Sequence, residues 1–276
     1  MPRAFDLGSS FGIMQGRLST QTEQGYQAFP WETWRAEFGL AAIRGLEHIE
    51  WVLDTWRVGD NPILNDTQAV IECISGTGVG VVTVCADYLM DRPLDVGDSE
   101  SWTVLENVIP AMQELGATWL VVPCVDHSSL RTLESLERFT RASSALAHAL
   151  EGTGIRVSLE ADLGPSEFNS LLAKLDPEIF GVNYDIGNSA HLGYSDAEEF
   201  DAYGDRISLV HIKDRVFEGG SVPLGRGHAN IPQVLDRLRG MEFSGPVTLQ
   251  VFRDKQGLDV LDDQLRWLKP LISGCE

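Results

Sequence analysis

The chain contains 276 residues with a mass of 30.4 kDa, and 43% of them are hydrophobic, which is enough for one sizeable buried core. Its 41 acidic and 21 basic residues give a formal net charge of −20, which opposes binding to a nucleic-acid backbone or to anionic lipid. No apolar run approaches the roughly 18 residues of a membrane helix, and Met1–Ser10 lacks a basic segment followed by an apolar one, so we expect a cytoplasmic protein with no membrane or nucleic-acid partner.

Short runs rich in β-branched residues alternate with longer amphipathic segments along the whole chain. In chain order, the predicted strands are Phe11–Gln15, His48–Leu53, Gly80–Cys85, Trp119–Pro123, Arg156–Glu160, Gly181–Asp185, Ser208–Ile212 and Val247–Phe252. The helices predicted after them are, in the same order, Trp31–Arg44, Asp66–Gly76, Ser99–Leu115, Leu130–Glu151, Ser166–Leu175, Ala197–Tyr203, Ile231–Arg239 and Leu258–Leu268.

Strict alternation of strand and helix is typical of a parallel sheet. Eight repeats in this length favour an α/β fold closed into a single (β/α)8 TIM barrel over an open doubly wound sheet. The dinucleotide-binding fingerprint GxGxxG does not follow the first strand, which also argues against the open sheet. No linker or low-complexity tract divides residues 1–276, so we predict one domain.

Polar residues end or nearly end four consecutive apolar runs, those of the predicted fifth to eighth strands; they are Glu160, Asp185, His211 and Gln250. In a TIM barrel the carboxyl ends of the strands meet at one face, so these side chains are expected to converge. Two carboxylates, an imidazole and an amide oxygen favour a divalent ion of the Mn²⁺, Mg²⁺ or Co²⁺ type, and Zn²⁺ is also compatible. Any one of these residues could simply cap a loop, but three ionisable groups at matching positions favour a metal site.

Several short motifs accompany the predicted strand ends. They are Gly12–Ser19 (GIMQGRLS), Phe29–Trp34 (FPWETW) and Glu47–Trp51 (EHIEW) in the first half, and Leu159–Asp162, Asp185–Asn188, His211–Asp214 and Pro223–Gly227 in the second. From about residue 11 to 254 they resemble the sugar phosphate isomerase/epimerase family of the xylose-isomerase-like TIM-barrel superfamily. The resemblance implies that Glu160, Asp185 and His211 bind a divalent metal, with a fourth ligand, usually Glu, from the eighth strand. This chain has Gln250 there.

The resemblance also implies a reaction, namely isomerisation or epimerisation of a sugar or sugar phosphate. Its first step would be proton abstraction next to a carbonyl, through a metal-stabilised enediolate, with Glu160 as the candidate base. In ketose 3-epimerases of the superfamily two Glu ligands act as acid and base, but Gln250 cannot accept a proton at neutral pH. An epimerase would therefore need another acid, such as Glu50, Asp214 or a bound water. Transfer of the proton between adjacent carbons on one face of the substrate would instead give an aldose–ketose isomerase.

Two other functions remain open from the sequence. A metal-dependent dehydratase or lyase acting on a keto-polyol or cyclitol begins with the same proton abstraction. A non-catalytic sugar-binding barrel would follow if Gln250 marks a lost active site. Barrels of this type often dimerise, so a homodimer is open as well.

Residues close to the predicted strand ends are candidates for contact with a small-molecule sugar substrate. The loop after the seventh strand is basic, and an Arg between two glycines is its best candidate for binding a phosphate or carboxylate. Gln15, Arg17 and Asn188 could instead anchor loops, the charges of the seventh loop could simply be solvated, and Glu50 could contact a histidine next to the metal instead of the substrate. The predicted substrate-binding residues are Gln15, Arg17, Glu50, Asn188, Lys213 and Arg226.

Overall fold

Eight parallel strands close into a barrel in the computed structural model, which describes residues 10–21, 23 and 25–273. The strands are β1 Phe11–Met14, β2 His48–Val52, β3 Gly80–Cys85, β4 Trp119–Cys124, β5 Arg156–Ala161, β6 Phe180–Asp185, β7 Ile207–Ile212 and β8 Val247–Leu249. Each strand pairs with its neighbours in sequence, and β8 closes the barrel by pairing with β1. The predicted (β/α)8 TIM barrel is confirmed. The predictions for the amino-terminal segment and for a domain of residues 1–276 include residues 1–9, 22, 24 and 274–276, which lie outside the described residues.

At least one helix follows every strand. The main helices are α1 Trp34–Ile43, α2 Thr67–Thr77, α3 Ser99–Leu115, α4 Leu133–Leu150, α5 Pro165–Leu172, α6 Asp196–Tyr203, α7 Ile231–Gly240 and α8 Leu258–Ser273. Shorter helices lie at Pro62–Asn65, Tyr88–Asp91 and Ile186–Leu192. Within the part of the chain that the structure describes, no helix combines the length and the apolar character needed to cross a membrane.

Apolar side chains cover both faces of the strands. One large cluster lies between the strands and the helices and includes Phe38, Leu105 and Leu146. A smaller cluster lies on the other face, inside the barrel, and consists of Met14, Val52, Cys85, Val121 and Leu209 with Trp119 packed against it. Because the strands are buried on both faces, they read as nearly continuous apolar runs, which is why their positions could be predicted.

Five boundaries differ from the predicted ones by three to five residues, at the starts of α1 and α4 and at the ends of α5, α8 and β8. Two of these differences have local reasons. Helix α1 begins at Trp34, because Trp31–Thr33 form a turn before it. Strand β8 ends at Leu249, because the Phe252 N–H donates to the side-chain oxygen of Gln264 on α8 and not to a neighbouring strand. The eighth strand is therefore short, and the residue after it stands at the rim of the barrel.

Candidate metal centre

Three buried side chains converge at the carboxyl ends of β5, β6 and β7. Ligand atoms of Glu160, Asp185 and His211 all lie within 4.8 Å of one another. Nδ1 of His211 is 3.5 Å from Oε2 of Glu160 and 4.0 Å from Oδ2 of Asp185. Donors held at about 2.1 Å from one ion lie roughly 3–4 Å apart, so these separations fit a single divalent ion. The structure thus brings together three of the four residues predicted as ligands.

Gln250, the fourth predicted ligand, lines the same cleft as Glu160. Its backbone N–H donates to the carbonyl of Ile212 at 3.0 Å, which keeps it in line with β7. Its side-chain Nε2 donates to the sulfur of Met14 at 3.3 Å, while Oε1 is buried and has no hydrogen-bond partner among the described residues. A buried carbonyl oxygen left unpaired costs about 1–3 kcal/mol, and a cation would satisfy it. The donor set therefore fits a divalent metal.

Glu50, on β2, orients the imidazole of His211. Both side chains are fully buried, and Oε1 of Glu50 is 2.9 Å from Nε2 of His211, which leaves Nδ1 for the two carboxylates. Burial opposes protonation of the imidazole, but the Glu50 carboxylate outweighs it and raises the pKa of His211 to about 9. Burial likewise acts to raise the pKa of Glu50, but the charge of His211 outweighs it and lowers that pKa. Such a carboxylate–histidine pair fixes the tautomer of a metal-binding histidine.

The two carboxylate oxygens of Asp185 have different partners. Asp185 is the N-cap of the helix Ile186–Leu192, and its Oδ1 accepts the backbone N–H of Asn188 at 2.9 Å. Its Oδ2 is 3.4 Å from Nζ of Lys213 and faces the other ligands. Gly187 allows this close approach, because a Cβ at that position would lie 2.7 Å from Cγ of Lys213. One residue thus caps a helix and still presents an oxygen to the metal centre.

Two amide side chains hold the carboxylate of Glu160. Nδ2 of Asn183 donates to Oε2 at 2.9 Å, and Nδ2 of Asn188 donates to Oε1 at 2.5 Å. Burial, reinforced by the nearby charge of Asp185, raises the pKa of Glu160 to about 7. A carboxyl group with a pKa near neutrality can both take and return a proton, which suits a general base. A cation beside it would lower that pKa and favour the ionised form.

A cleft of about 370 Å³ adjoins these residues, within the range of about 300–1,000 Å³ typical of small-molecule sites. Two of the six predicted substrate-binding residues, Asn188 and Lys213, line it. Its wall carries both signs of charge, and it includes two arginines and three carboxylates that are not among the predicted site residues. These five residues are Arg131, Arg215, Asp87, Asp126 and Asp162.

Three other predicted substrate-binding residues are buried and do not belong to the described lining of the cleft. Oε1 of Gln15 accepts the backbone N–H of Val52 at 3.2 Å. Arg17 donates to Oε1 of Gln27 at 2.5 Å, and burial lowers its pKa. Glu50 is paired within the barrel as described above. Any effect of these residues on a ligand would pass through neighbours such as Gln27, which does line the cleft.

The glycine-rich turn after β7 binds a carboxylate of its own chain. Asp214 lies in an unpredicted antiparallel ribbon, in which Asp214–Arg215 pairs with Ser221–Val222. Its side chain accepts the backbone N–H groups of residues 225, 226 and 227, at 2.9 to 3.1 Å, and of residue 229, at 3.1 Å. Arg226 is exposed, and neither it nor Asp214 is among the described residues that line the cleft. The turn expected to bind a substrate anion is therefore already occupied by Asp214.

Several residues of the site were not found from the sequence, and three of them show why. Asp87 closely follows the apolar third strand, so the rule that identified Glu160 would have identified it too. Asn183 is a polar residue within an apolar strand, which is a weaker signal of the same kind. Arg131 lies in a loop beyond β4, and nothing in the local sequence predicts that it turns toward the cleft.

Comparisons with known proteins agree with this architecture. SgbU of Haemophilus influenzae, an inferred L-ribulose-5-phosphate 3-epimerase, is 21% identical over 257 residues, which cover 83% of this chain and 87% of SgbU. The structure of 3-keto-D-glucoside 4-epimerase YcjR from E. coli is 19% identical with a TM-score of 0.70, and the match covers 95% of this chain and 99% of YcjR. The IolI protein with a bound zinc atom is 13% identical with a TM-score of 0.73, over 95% of this chain and 99% of IolI.

At these identities the solved structures establish the fold. The family is established separately, by a family model described as xylose isomerase-like TIM barrel that matches residues 38–271, which is most of the chain. The chain therefore belongs to the xylose isomerase-like TIM barrel family, as its sequence motifs predicted.

Proposed function

We propose that the protein is a divalent-metal-dependent isomerase or epimerase that acts on a sugar or sugar phosphate. The observation that carries the proposal is the convergence of Glu160, Asp185 and His211 beside a cleft of monosaccharide size. The named activities of SgbU and YcjR, both sugar epimerases by name, support the substrate class. The zinc atom of IolI supports a metal in this fold.

Glu160 would remove a proton from the carbon next to the substrate carbonyl. Its carboxylate lines the cleft, and the amides of Asn183 and Asn188 hold it in place. When bound by Glu160, Asp185, His211 and Gln250, a divalent ion would supply a Lewis acid for the carbonyl oxygen and stabilise the negative charge that develops there. Mn²⁺, Mg²⁺ or Co²⁺ is favoured by the oxygen-rich donor set, with Zn²⁺ also compatible.

Lys213 and Asn188 would bind substrate oxygens. Both line the cleft next to Asp185, and Nζ of Lys213 lies 3.4 Å from Oδ1 of Asn188. We also propose that the chain forms one catalytic domain, that it acts in the cytoplasm, and that its partner is a small molecule and not a nucleic acid. The net charge of −20 supports the last point.

Solvent exchange tests the proposal. The protein would be loaded with Mn²⁺ and incubated in D₂O with L-ribulose 5-phosphate, L-ribulose, D-tagatose, D-fructose and a 3-keto-D-glucoside, and deuterium entry followed by NMR and mass spectrometry. We expect deuterium at a carbon next to the carbonyl of at least one compound, and loss of that exchange on removal of the metal. Comparison of L-ribulose with its 5-phosphate shows whether the phosphate is recognised.

Glu160→Gln is the decisive variant, because it removes the base and keeps the shape of the side chain. We expect a loss of exchange of at least about 100-fold at saturating Mn²⁺. Glu37→Gln is a matched control, because Glu37 is also buried and is not among the described residues of the cleft lining; its carboxylate accepts the backbone N–H of Gly16. Exchange that survives Glu160→Gln, or that never appears in fully metal-loaded protein, would contradict the proposal.

A further inference from the structure

Epimerisation requires two groups that exchange protons with the same carbon from different sides. Two of the predicted ligands, Glu160 and Gln250, line the cleft, and of these only Glu160 can exchange a proton. If the protein inverts a carbon centre, a second titratable group must therefore reach the cleft from elsewhere in the barrel.

Asp87 reaches the cleft from a strand that holds none of the predicted metal ligands. It follows β3, and β3 stands opposite β7, the strand of His211, in the closed order of eight strands. Its side chain is 5% exposed and lines the same cleft as Glu160, with Pro123 of the intervening β4 between them. Because β3 is two strands from β5, Asp87 and Glu160 approach the cleft from different directions, and the plane of an enediolate held at the metal centre can lie between them with one carboxylate on each face.

The Asp87 carboxyl group has one oxygen available for a ligand. Oδ1 accepts a hydrogen bond from Sγ of Cys85 at 3.0 Å. Oδ2 is buried and makes no well-formed hydrogen bond within the described part of the chain, although the Gln27 amide is close enough to lower the pKa of the group. A buried acceptor of a cleft residue that lacks a protein partner calls for an explanation, and a hydrogen bond from a bound ligand provides one.

Burial keeps the carboxyl group of Asp87 partly protonated. Burial is the main effect, and together with the charge of Glu50 it raises the pKa of Asp87 to about 6, against the opposing effects of Cys85, Gln27 and Arg17. About a tenth of the molecules would then carry the proton at neutral pH. The group can therefore both donate and accept a proton under physiological conditions.

Other titratable groups at the cleft suit this role less well. Asp162 pairs with Arg131 at 3.4 Å and accepts a hydrogen bond from Ser129. His191 belongs to the helix that Asp185 caps, so it enters from the ligand side of the barrel. Asp162 follows β5 and His191 follows β6, whereas Asp87 follows β3, outside the four strands that hold the predicted ligands.

We propose that Asp87 is the second proton-transfer group of the cleft, acting on the face of the bound enediolate that Glu160 does not serve, and that the protein is therefore an epimerase. The inference rests on the proposed function. Glu160 takes the proton as the C–H bond breaks and its electron pair enters the enediolate. Protonated Asp87 then gives its proton to the other face, where a new C–H bond forms. Glu160 ends protonated and Asp87 ionised, and proton exchange with water restores both.

The variant Asp87→Asn separates the two half-reactions on the ketose that exchanges in the panel. Epimer formation should fall by about 100-fold or more, while exchange of the substrate hydrogen with solvent through Glu160 persists. Glu160→Gln should abolish both. A control is Asp54→Asn: Asp54 closely follows β2, accepts the Phe29 N–H and is not among the described residues of the cleft lining. We expect it to leave both rates unchanged.

The wild-type protein provides a check that does not depend on the folding of a variant. In D₂O, the first epimer formed should carry deuterium at the inverted carbon, because its new hydrogen comes from a group that has equilibrated with solvent. Epimer that retains the substrate hydrogen, full epimerisation by Asp87→Asn, or conversion only between aldose and ketose would each overturn the role of Asp87. Absence of any exchange in the wild-type protein would instead contradict the proposed function itself.

Discussion

Replacement of Glu50 by Gln tests whether this buried carboxylate sets the basicity of His211. Glutamine keeps the size of the side chain and an oxygen 2.9 Å from Nε2 of His211, but it removes the negative charge. Loss of such a partner typically weakens metal binding by about 10- to 100-fold, which corresponds to about 1.4–2.8 kcal/mol. The same charge also strengthens proton binding at His211, so the effect on metal affinity depends on pH.

The sign of this pH dependence follows from the pKa of His211, which Glu50 holds at about 9 against the effect of burial. In the metal-free protein the imidazole is therefore protonated at neutral pH, and a metal must displace the proton from Nδ1. The wild-type affinity should rise roughly tenfold per pH unit between about pH 7 and 9. Without the Glu50 charge the pKa of His211 falls, so this slope should flatten, and the loss of affinity should be largest near pH 9 and smaller at pH 7.

Calorimetric titration of metal-free protein with Mn²⁺ in oxygen-free buffers across this pH range measures both quantities. Glu37→Gln is again the matched control, since it alters an equally buried carboxylate that contacts Gly16 and Ser19. Its affinity should follow the wild-type curve. Parallel pH curves for wild type and Glu50→Gln, or an unchanged affinity near pH 9, would refute the reasoning.

Three further predictions concern the rim of the barrel. Gln250→Glu should lower the Tm of the metal-free protein, because a third carboxylate is added beside Glu160 and Asp185. It should also enlarge the rise in Tm on adding Mn²⁺, and an unchanged metal-induced shift in Tm would contradict this. Asp214→Ala should lower the free energy of unfolding in urea by about 1–3 kcal/mol because four backbone N–H groups lose their acceptor, and Asp214→Asn, which keeps one side-chain oxygen, should cost less. Equal losses for the two variants would contradict the role of the side-chain oxygens as acceptors. Arg226→Ala should leave the KM for a phosphorylated substrate unchanged, whereas Lys213→Ala should raise it. Steady-state kinetics measures both values, and a raised KM for Arg226→Ala with an unchanged KM for Lys213→Ala would contradict the prediction.

Much of the metal centre could be predicted because its signal is local. Glu160 and Asp185 each end an apolar run, and the closed parallel barrel brings such ends to one face. Asp87 follows its strand by two residues, so the same rule, applied to the third strand, would have identified it as well. The position of a polar residue after an apolar strand is therefore informative on the third strand as well as on the fifth to eighth.

The substrate-binding predictions were less accurate because they depended on where a side chain points. Glu50 lies within its strand, and only the closure of the barrel turns it inward to His211 instead of toward the cleft. Arg226 stands between two glycines, as an anion-binding turn would require, but the turn folds onto Asp214 from the same loop. Neither outcome follows from residue type or spacing.

The alternation of apolar strands and amphipathic helices determined the eightfold barrel from the sequence alone. A strand buried on both faces appears as a nearly continuous apolar run, whereas a helix buried on one face has apolar residues at helical spacing. The order of residues at the strand ends likewise determined which side chains could bind a metal. Only the tertiary structure decided how far apart those atoms lie and which of them remain available. Those distances depend on the register between strands that are distant in sequence, and on hydrogen bonds such as the one that commits one oxygen of Asp185 to a helix and leaves the other for the site.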